Sequence, residues 1–380
     1  MKPRRVYVDY NATAPVRPEI RTLVEPILFG ELETGQFANA SSVHWAGQAA
    51  RKTLEKARSE LAKIFDRKPS EILFTSGGSE ANNLVLQGVL LHPGCRHRRL
   101  VTSSVEHAAV RGPAKDLQTQ GVEWVEIPVD GRGHLDLEAL EAALETPTGL
   151  VSIMAVNNET GIVHDVAAVR RLCATRSAPL MVDAVQAPGR IPLPDGDFVI
   201  LSGHKLGGLK GAGVLIRRDE IPLLPRLVGG PQERGLRAGT EDVAAAVALV
   251  EALRLAEAER GAEVRRLTEL RDRLEEGLKR LGASVVGAEA RRIGATSTVF
   301  FEGIEGEVLL QALDLEGVAA SSGSACSSGS LEPSHVLLSM GYTRQAALSA
   351  IRFSLGWASR SEDVDHLLNR LPPLLERIRG

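Results

Sequence analysis

Phe198-Val199-Ile200-Leu201-Ser202-Gly203-His204-Lys205 is an unbroken apolar run that ends in small and polar residues. Apolar side chains on both parities describe a strand covered on both faces, and the polar exit delivers a lysine to the strand's end. Upstream, Leu180-Met181-Val182-Asp183-Ala184-Val185-Gln186 has the same form and ends on a carboxylate. Working outward, further short apolar runs occupy 72–75, 100–103, 122–127 and 151–156, with helical patterns between them. That alternation predicts a mostly parallel sheet with crossover helices. The run at 213–216 follows Lys205 too closely for a crossover helix and is expected to lie antiparallel. Ala50, Leu54, Ala57, Leu61 and Ile64 recur at helical spacing and mark the face of a helix before the sheet.

Beyond residue 243 the chain becomes rich in Ala, Leu, Glu and Arg with helical periodicity to residue 281, with an expected interruption at Gly261. The domain boundary is expected along this stretch, near residue 255. Strands near 296–301 and 318–321, with helices near 305–313 and 361–379, then read as a smaller α+β domain. The expected division is therefore 14–255 for a large domain, and 1–13 with 256–380 for a small one.

Hydrophobic residues at 43% and charged residues at 24% are ordinary for a globular protein. A net charge of −3 argues against nucleic-acid binding, and the basic clusters at 96–99 and Arg265-Arg266 read as solvated faces. No run approaches the roughly 18 apolar residues of a membrane span. The N-terminal residues lead into Val6-Tyr7-Val8-Asp9 without a signal-like apolar segment. Cys95, Cys173 and Cys326 form neither a disulfide framework nor a metal-ligand pattern, so a reducing cytoplasm is expected and no metal.

Lys205 and Asp183 together suggest a pyridoxal phosphate site. A lysine among small residues can form a Schiff base with an aldehyde, and a carboxylate can hold a pyridine nitrogen protonated. Each alone reads as an ordinary charged side chain. Thr75-Ser76-Gly77-Gly78-Ser79-Glu80 reads as a turn between strand and helix, where free backbone N–H groups favour an anion. No Gly-Lys-Ser/Thr follows, so it is not a Walker loop. Ala319 to Ser330, half of whose residues are serine, sets the Cys326 thiol in small, polar surroundings. A nucleophilic role for that thiol needs a nearby cation or proton acceptor.

With these residues quoted, the chain closely resembles the NifS/IscS-like cysteine desulfurases, class V relatives of the fold-type-I aminotransferases. The resemblance also rests on Asp9-Tyr10-Asn11-Ala12-Thr13, Glu106-His107, Val156-Asn157-Asn158-Glu159, Glu233-Arg234-Gly235, Arg237-Ala238-Gly239-Thr240 and Ile351-Arg352-Phe353-Ser354. It implies an α/β fold of the pyridoxal-phosphate type I, with a mostly parallel seven-stranded sheet in the large domain. It implies removal of sulfur from L-cysteine, giving L-alanine and a persulfide on Cys326 for a sulfur-acceptor protein. Lys205 would carry the cofactor and then move the Cα proton. Asp183 would meet the pyridine nitrogen, Gln186 the ring hydroxyl, and His107 the ring face, where it would also help proton transfer. Gly78, Ser79, Ser202 and His204 would hold the phosphate, with Thr240 reaching it across a homodimer interface. Arg352, assisted by Asn157, would grip the substrate carboxylate. The rival readings are selenocysteine lyase, or another class V lyase or aminotransferase, and an idle scaffold protein.

Three departures from the family pattern stand out. Ala40 occupies a place where many members have proline, Leu206 to Lys210 lacks a usual Tyr and Pro, and little chain follows Arg352. The tail that docks an iron–sulfur scaffold in some members is therefore not assumed.

Overall fold

The computed structural model describes residues 4–322 and 332–379. Cys326 lies outside the described residues. The chain opens with β1 (Val6–Tyr7), followed by α1 (Pro18–Phe29) and α2 (Trp45–Ile64). Pro18 begins α1, where its missing N–H is no loss, and His44 Nδ1 accepts from Gly47 N to cap α2. The alternating part follows: β2 (Ile72–Thr75), α3 (Gly78–Leu90), β3 (Arg99–Ser103), α4 (Ala108–Thr119), β4 (Glu123–Ile127), α5 (Leu137–Ala143), β5 (Leu150–Met154), α6 (Val166–Thr175), β6 (Leu180–Asp183), β7 (Phe198–Ser202) and β8 (Gly213–Arg217). Asp136 and Asp165 cap α5 and α6 by accepting from Ala139 N and Ala168 N.

These strands form one seven-stranded sheet in the order β2-β8-β7-β6-β5-β3-β4. Only β8 is reversed, antiparallel to both β2 and β7. The two reversals cancel, so β2 points the same way as the parallel strands. The exits of β2, β5, β6 and β7 therefore share one edge, where open α/β sheets bind ligands. Every strand is buried along its length except β4, whose exposed Glu123 and half-buried Trp124 suit the sheet's edge.

The long helix α7 (Val243–Arg280) runs 38 residues without a break, so the expected interruption at Gly261 does not occur. A Cβ at Gly261 would meet nothing closer than Arg265 Nη1 at 3.9 Å, so the position is open and its glycine costs only about 1 kcal/mol. Buried side chains on both sides, Leu249 and Leu253 before it and Leu267 and Leu274 after it, hold the helix across that point. The expected domain boundary near residue 255 falls inside this helix.

The remainder comprises β9 (Ala283–Val285), β10 (Thr296–Phe301), α8 (Gly306–Leu315), β11 (Val318–Ala319), β12 (Ser321–Ser322), α9 (His335–Ser339), α10 (Arg344–Leu348), β13 (Ile351–Ser354) and α11 (Ser361–Arg379). The strand expected at 318–321 is two pieces. β11 pairs with β1, whereas β12 joins the antiparallel sheet β12-β13-β10-β9. A chain this short can serve two sheets only by turning at Ala320. Asp9 bridges to Ser354, which seats the segment after β1 against β13. Among the described residues no helix is long and apolar enough to cross a membrane.

Candidate active site

A cavity of about 390 Å³ opens at the shared strand edge. Its walls include Asn11, Gly78, Ser79, Asn82, His107, Asn158, Asp183, Gln186, Ser202, His204, Lys205 and Arg352. Each arrives by a simple route: Asp183 ends β6, Ser202 ends β7, Gly78 and Ser79 open α3, His107 caps α4, and Arg352 lies in β13. Lys205 closes a short 3₁₀ turn directly after β7.

The α3 end is shaped for an anion. Its first N–H groups have no helical acceptor, and the helix dipole adds positive potential there. A Cβ on Gly78 would come within 3.0 Å of Val185 Cγ2, and one on Gly213 would fall 2.5 Å from Gly77 Cα. Backbone approach at this corner is possible only with glycine. His204 Nδ1 lies 3.2 Å from Thr13 Oγ1, and burial, then Lys205 and Lys210, push its pKa down to about 4. It is a neutral ring with one N–H near neutral pH.

Asp183 is buried and its oxygens accept from Asn82 Nδ2 at 2.9 Å and Val185 N at 3.1 Å. A carboxylate has further lone pairs, so it retains capacity toward a ring nitrogen. Asn82 Oδ1 is buried and has no partner among the described residues. Sequence reasoning missed Asn82; its signal was a place one helical turn beyond Gly78 on α3.

Lys205 Nζ donates to Asn11 O and Ala12 O, both at 2.7 Å. Gln186 Nε2 donates to the same Asn11 carbonyl at 3.1 Å, and Arg190 Nη1 donates to Gln186 Oε1 and to Asn11 Oδ1. Arg190 is partly buried, and burial, then Arg352, pushes its pKa down to about 10. Asn11 Nδ2 reaches Asn158 O and Thr296 Oγ1. Asn11 is thus the joint between the lysine, the glutamine and the far wall, a role its place in the Asp9–Thr13 motif hinted at.

His107 Nδ1 accepts from Ala109 N at 3.0 Å, so in the neutral ring the proton sits on Nε2. Beneath it, Glu106 is fully buried and accepts from Ser103 Oγ at 2.6 Å and Met154 N at 2.8 Å. Burial pushes its carboxyl up to about 8.

Arg352 is only 2% exposed. Its Nη2 donates to Asp9 Oδ1 at 2.8 Å and its Nη1 to Asn158 O at 3.0 Å. Asn157 is not in the cavity wall. Its Oδ1 accepts from Glu159 N, Thr160 N and Thr160 Oγ1, and its Nδ2 donates to Val105 O. Asn158, its neighbour, lines the cavity instead. Thr240 also stands apart, lining a second cavity of about 220 Å³ with Phe74, Glu233 and Arg237. Arg237 pairs with Glu80 in the first turn of α3 at 2.9 Å.

The donor set fits pyridoxal phosphate: a glycine-lined helix start for a phosphate, a buried carboxylate for a ring nitrogen, a lysine between them, and space for one ring. Similarity to known proteins agrees. The model of the class-V aminotransferases matches residues 6–367. A cysteine desulfurase of Cereibacter sphaeroides is 43% identical over 99% of this chain and 97% of its own length. A cysteine desulfurase of Trichormus azollae is 41% identical over 99% of this chain and 94% of its own. The solved structure of a NifS-like protein superposes with a TM-score of 0.91 at 36% identity, covering 98% of this chain and all of that one. With the lysine, carboxylate and anion cradle set at one sheet edge and similarity of this extent, the chain belongs to the class-V aminotransferase family, within its pyridoxal 5'-phosphate-dependent cysteine desulfurases.

Proposed function

We propose that the chain transfers the sulfur of L-cysteine to Cys326 and releases L-alanine. The observation that carries this reading is the convergence of Lys205, Asp183 and Arg352 on one cavity beside the α3 N-terminus. The Cβ–Sγ bond of the substrate breaks, an S–S bond forms on Cys326, and the two thiols become one persulfide plus alanine. No outside oxidant or reductant is needed. When bound, pyridoxal phosphate supplies the electron sink that makes the bonds around Cα and Cβ labile. The chain's own residues do the rest. Asp183 holds the proton of the ring nitrogen, Gly78, Ser79, Ser202 and His204 hold the phosphate, and Gln186 meets the ring hydroxyl. Lys205 carries the cofactor and moves the proton at Cα, with His107 against the ring face. Arg352 fixes the substrate carboxylate as a planar two-pronged donor. Asn157 supports that grip through the turn it braces.

The test is alanine and persulfide production from L-cysteine, with Arg352 varied. Losing a charge-assisted hydrogen bond of about 1.5–3 kcal/mol should raise the KM of Arg352→Ala roughly 10- to 150-fold. Arg352→Lys should recover only part, because an ammonium lacks the fork. Unchanged KM in both variants would place the carboxylate elsewhere.

A homodimer is part of the same proposal. Phe29, Leu32, Val43, Trp45 and Val228 are each more than half exposed, and a second copy would give such apolar side chains cover. Thr240, absent from the wall of the 390 Å³ cavity, would then meet the neighbour's phosphate. Sedimentation at assay concentration should show a dimer; a fully active monomer rules the arrangement out. A sulfur-acceptor protein takes the persulfide sulfur in the cytoplasm; among the described residues Cys95 and Cys173 are free thiols.

A further inference from the structure

The turn after β5 is a rigid junction. Asn157 Oδ1 accepts from Glu159 N at 2.9 Å and Thr160 N at 3.0 Å, and Glu159 O accepts from Thr298 Oγ1 of β10 at 2.6 Å. From this junction Asn158 O holds both Arg352 and Asn11. The Glu159 side chain leads in another direction. Its Oε2 accepts from Ser334 Oγ, and both residues are buried. Ser334 Oγ also accepts from Leu337 N at 3.2 Å, which starts α9.

A second contact lies alongside. His335 Nε2 stands 3.0 Å from Glu106 O; a carbonyl only accepts, so this nitrogen carries the proton. Val336 and Leu337 of α9, with Met340 just after it, pack in one apolar cluster with Val105 and Ile162. On the other flank, Ser321 pairs with Arg352 itself across β12 and β13. The described chain on either side of residues 323–331 is therefore fastened to the groups that grip substrate and cofactor. A carboxyl is a costly group to bury for a turn alone, because desolvation penalises it and, among the described residues, its side chain accepts from a single hydroxyl.

We propose that Glu159 is a positioning residue for sulfur transfer: by accepting from Ser334 Oγ it ties the chain just beyond Cys326 to the junction that orients Arg352. This rests on Cys326 being the sulfur acceptor. Glu159 touches neither substrate nor cofactor, and acts through Ser334. Glu159→Leu keeps the bulk and removes the acceptor; Glu159→Gln keeps an acceptor oxygen; Ser334→Ala removes the donor.

In the cofactor-loaded enzyme, Glu159→Leu and Ser334→Ala should each lower kcat about tenfold, the scale of one buried hydrogen bond. KM and cofactor absorbance should stay near wild type; Ser334→Ala, which also loses the α9 cap and leaves a buried carboxyl unpaired, should lower Tm, whereas Glu159→Leu should lose as much rate without that fall in Tm. Persulfide on Cys326 after one turnover, counted by mass spectrometry, should fall in parallel with kcat. Glu159→Gln should restore most of the rate, and the double variant should be no slower than either single one. Wild-type kcat in Ser334→Ala overturns the proposal, as does a loss of rate in Glu159→Leu that follows cofactor content or Tm. Cys326→Ala, run beside them, separates the two questions. If it is inactive while Ser334→Ala is normal, only the positioning role fails; if it is active, the reading of Cys326 fails first.

Discussion

Cys326→Ala should still bind L-cysteine and change the cofactor's absorbance, yet alanine production should fall by roughly 10³-fold or more, the scale of losing a catalytic nucleophile. The variant leaves Lys205, the α3 cradle and Arg352 in place, so binding and proton movement at Cα persist while the sulfur has no thiol to receive it. Mass spectrometry of the wild type after one turnover should find one extra sulfur on Cys326 and none on Cys95 or Cys173. Cys173 is buried, with its thiol pushed up to about 12 by burial, and is a poor nucleophile. Alanine formed by the variant at the wild-type rate would assign the chain to the lyases that share its cofactor site.

The second large effect belongs to Lys205. Lys205→Ala should reduce turnover by about 10²–10⁴-fold, the range for removing a positioned proton carrier, and by more because the cofactor also loses its covalent attachment. Cofactor should still associate through the helix start and Asp183, at reduced affinity. Borohydride treatment of the wild type followed by peptide mapping should fix cofactor on Lys205. Lys210 is exposed and outside the cavity wall, so label found there refutes the assignment.

The sheet was legible because its strands are apolar on both parities and bounded by small residues. Even the reversed β8 could be read from the shortness of its link to Lys205. The small sheets were harder. β11 and β12 are two residues each, too short for a period, and β9 and β13 have no apolar run that separates them from their surroundings. Gly261 misled because local propensity is weaker than the packing on both sides of it.

In the cavity wall, Lys205, Asp183 and Gly78 could be placed from the sequence because strand and helix ends fix where they lie, whereas Arg352, inside β13, was named only through the family resemblance. Asn157 and Asn158 show the opposite case. Both sit in one turn, and only its fold decides which amide braces the backbone and which residue faces the cavity. Glu106 and Glu159 were opaque as buried groups, since a carboxylate in sequence reads as solvated surface. Glu159 is met by Ser334 and Glu106 by Met154 N, contacts between distant segments that no local pattern encodes.

The pairing of Asp9 with Arg352 spans 343 residues, and Asn11 reaches Ser354 over the same separation. A chain emerging from the ribosome therefore acquires Lys205 and Asp183, the proposed cofactor amine and ring-binding carboxylate, well before Arg352, the proposed carboxylate clamp. Its early residues wait, unmatched, for strands made near the end of synthesis. On the proposed roles, a chain without those strands lacks the means to orient an amino acid for sulfur loss, so release of reactive sulfur waits for the finished fold.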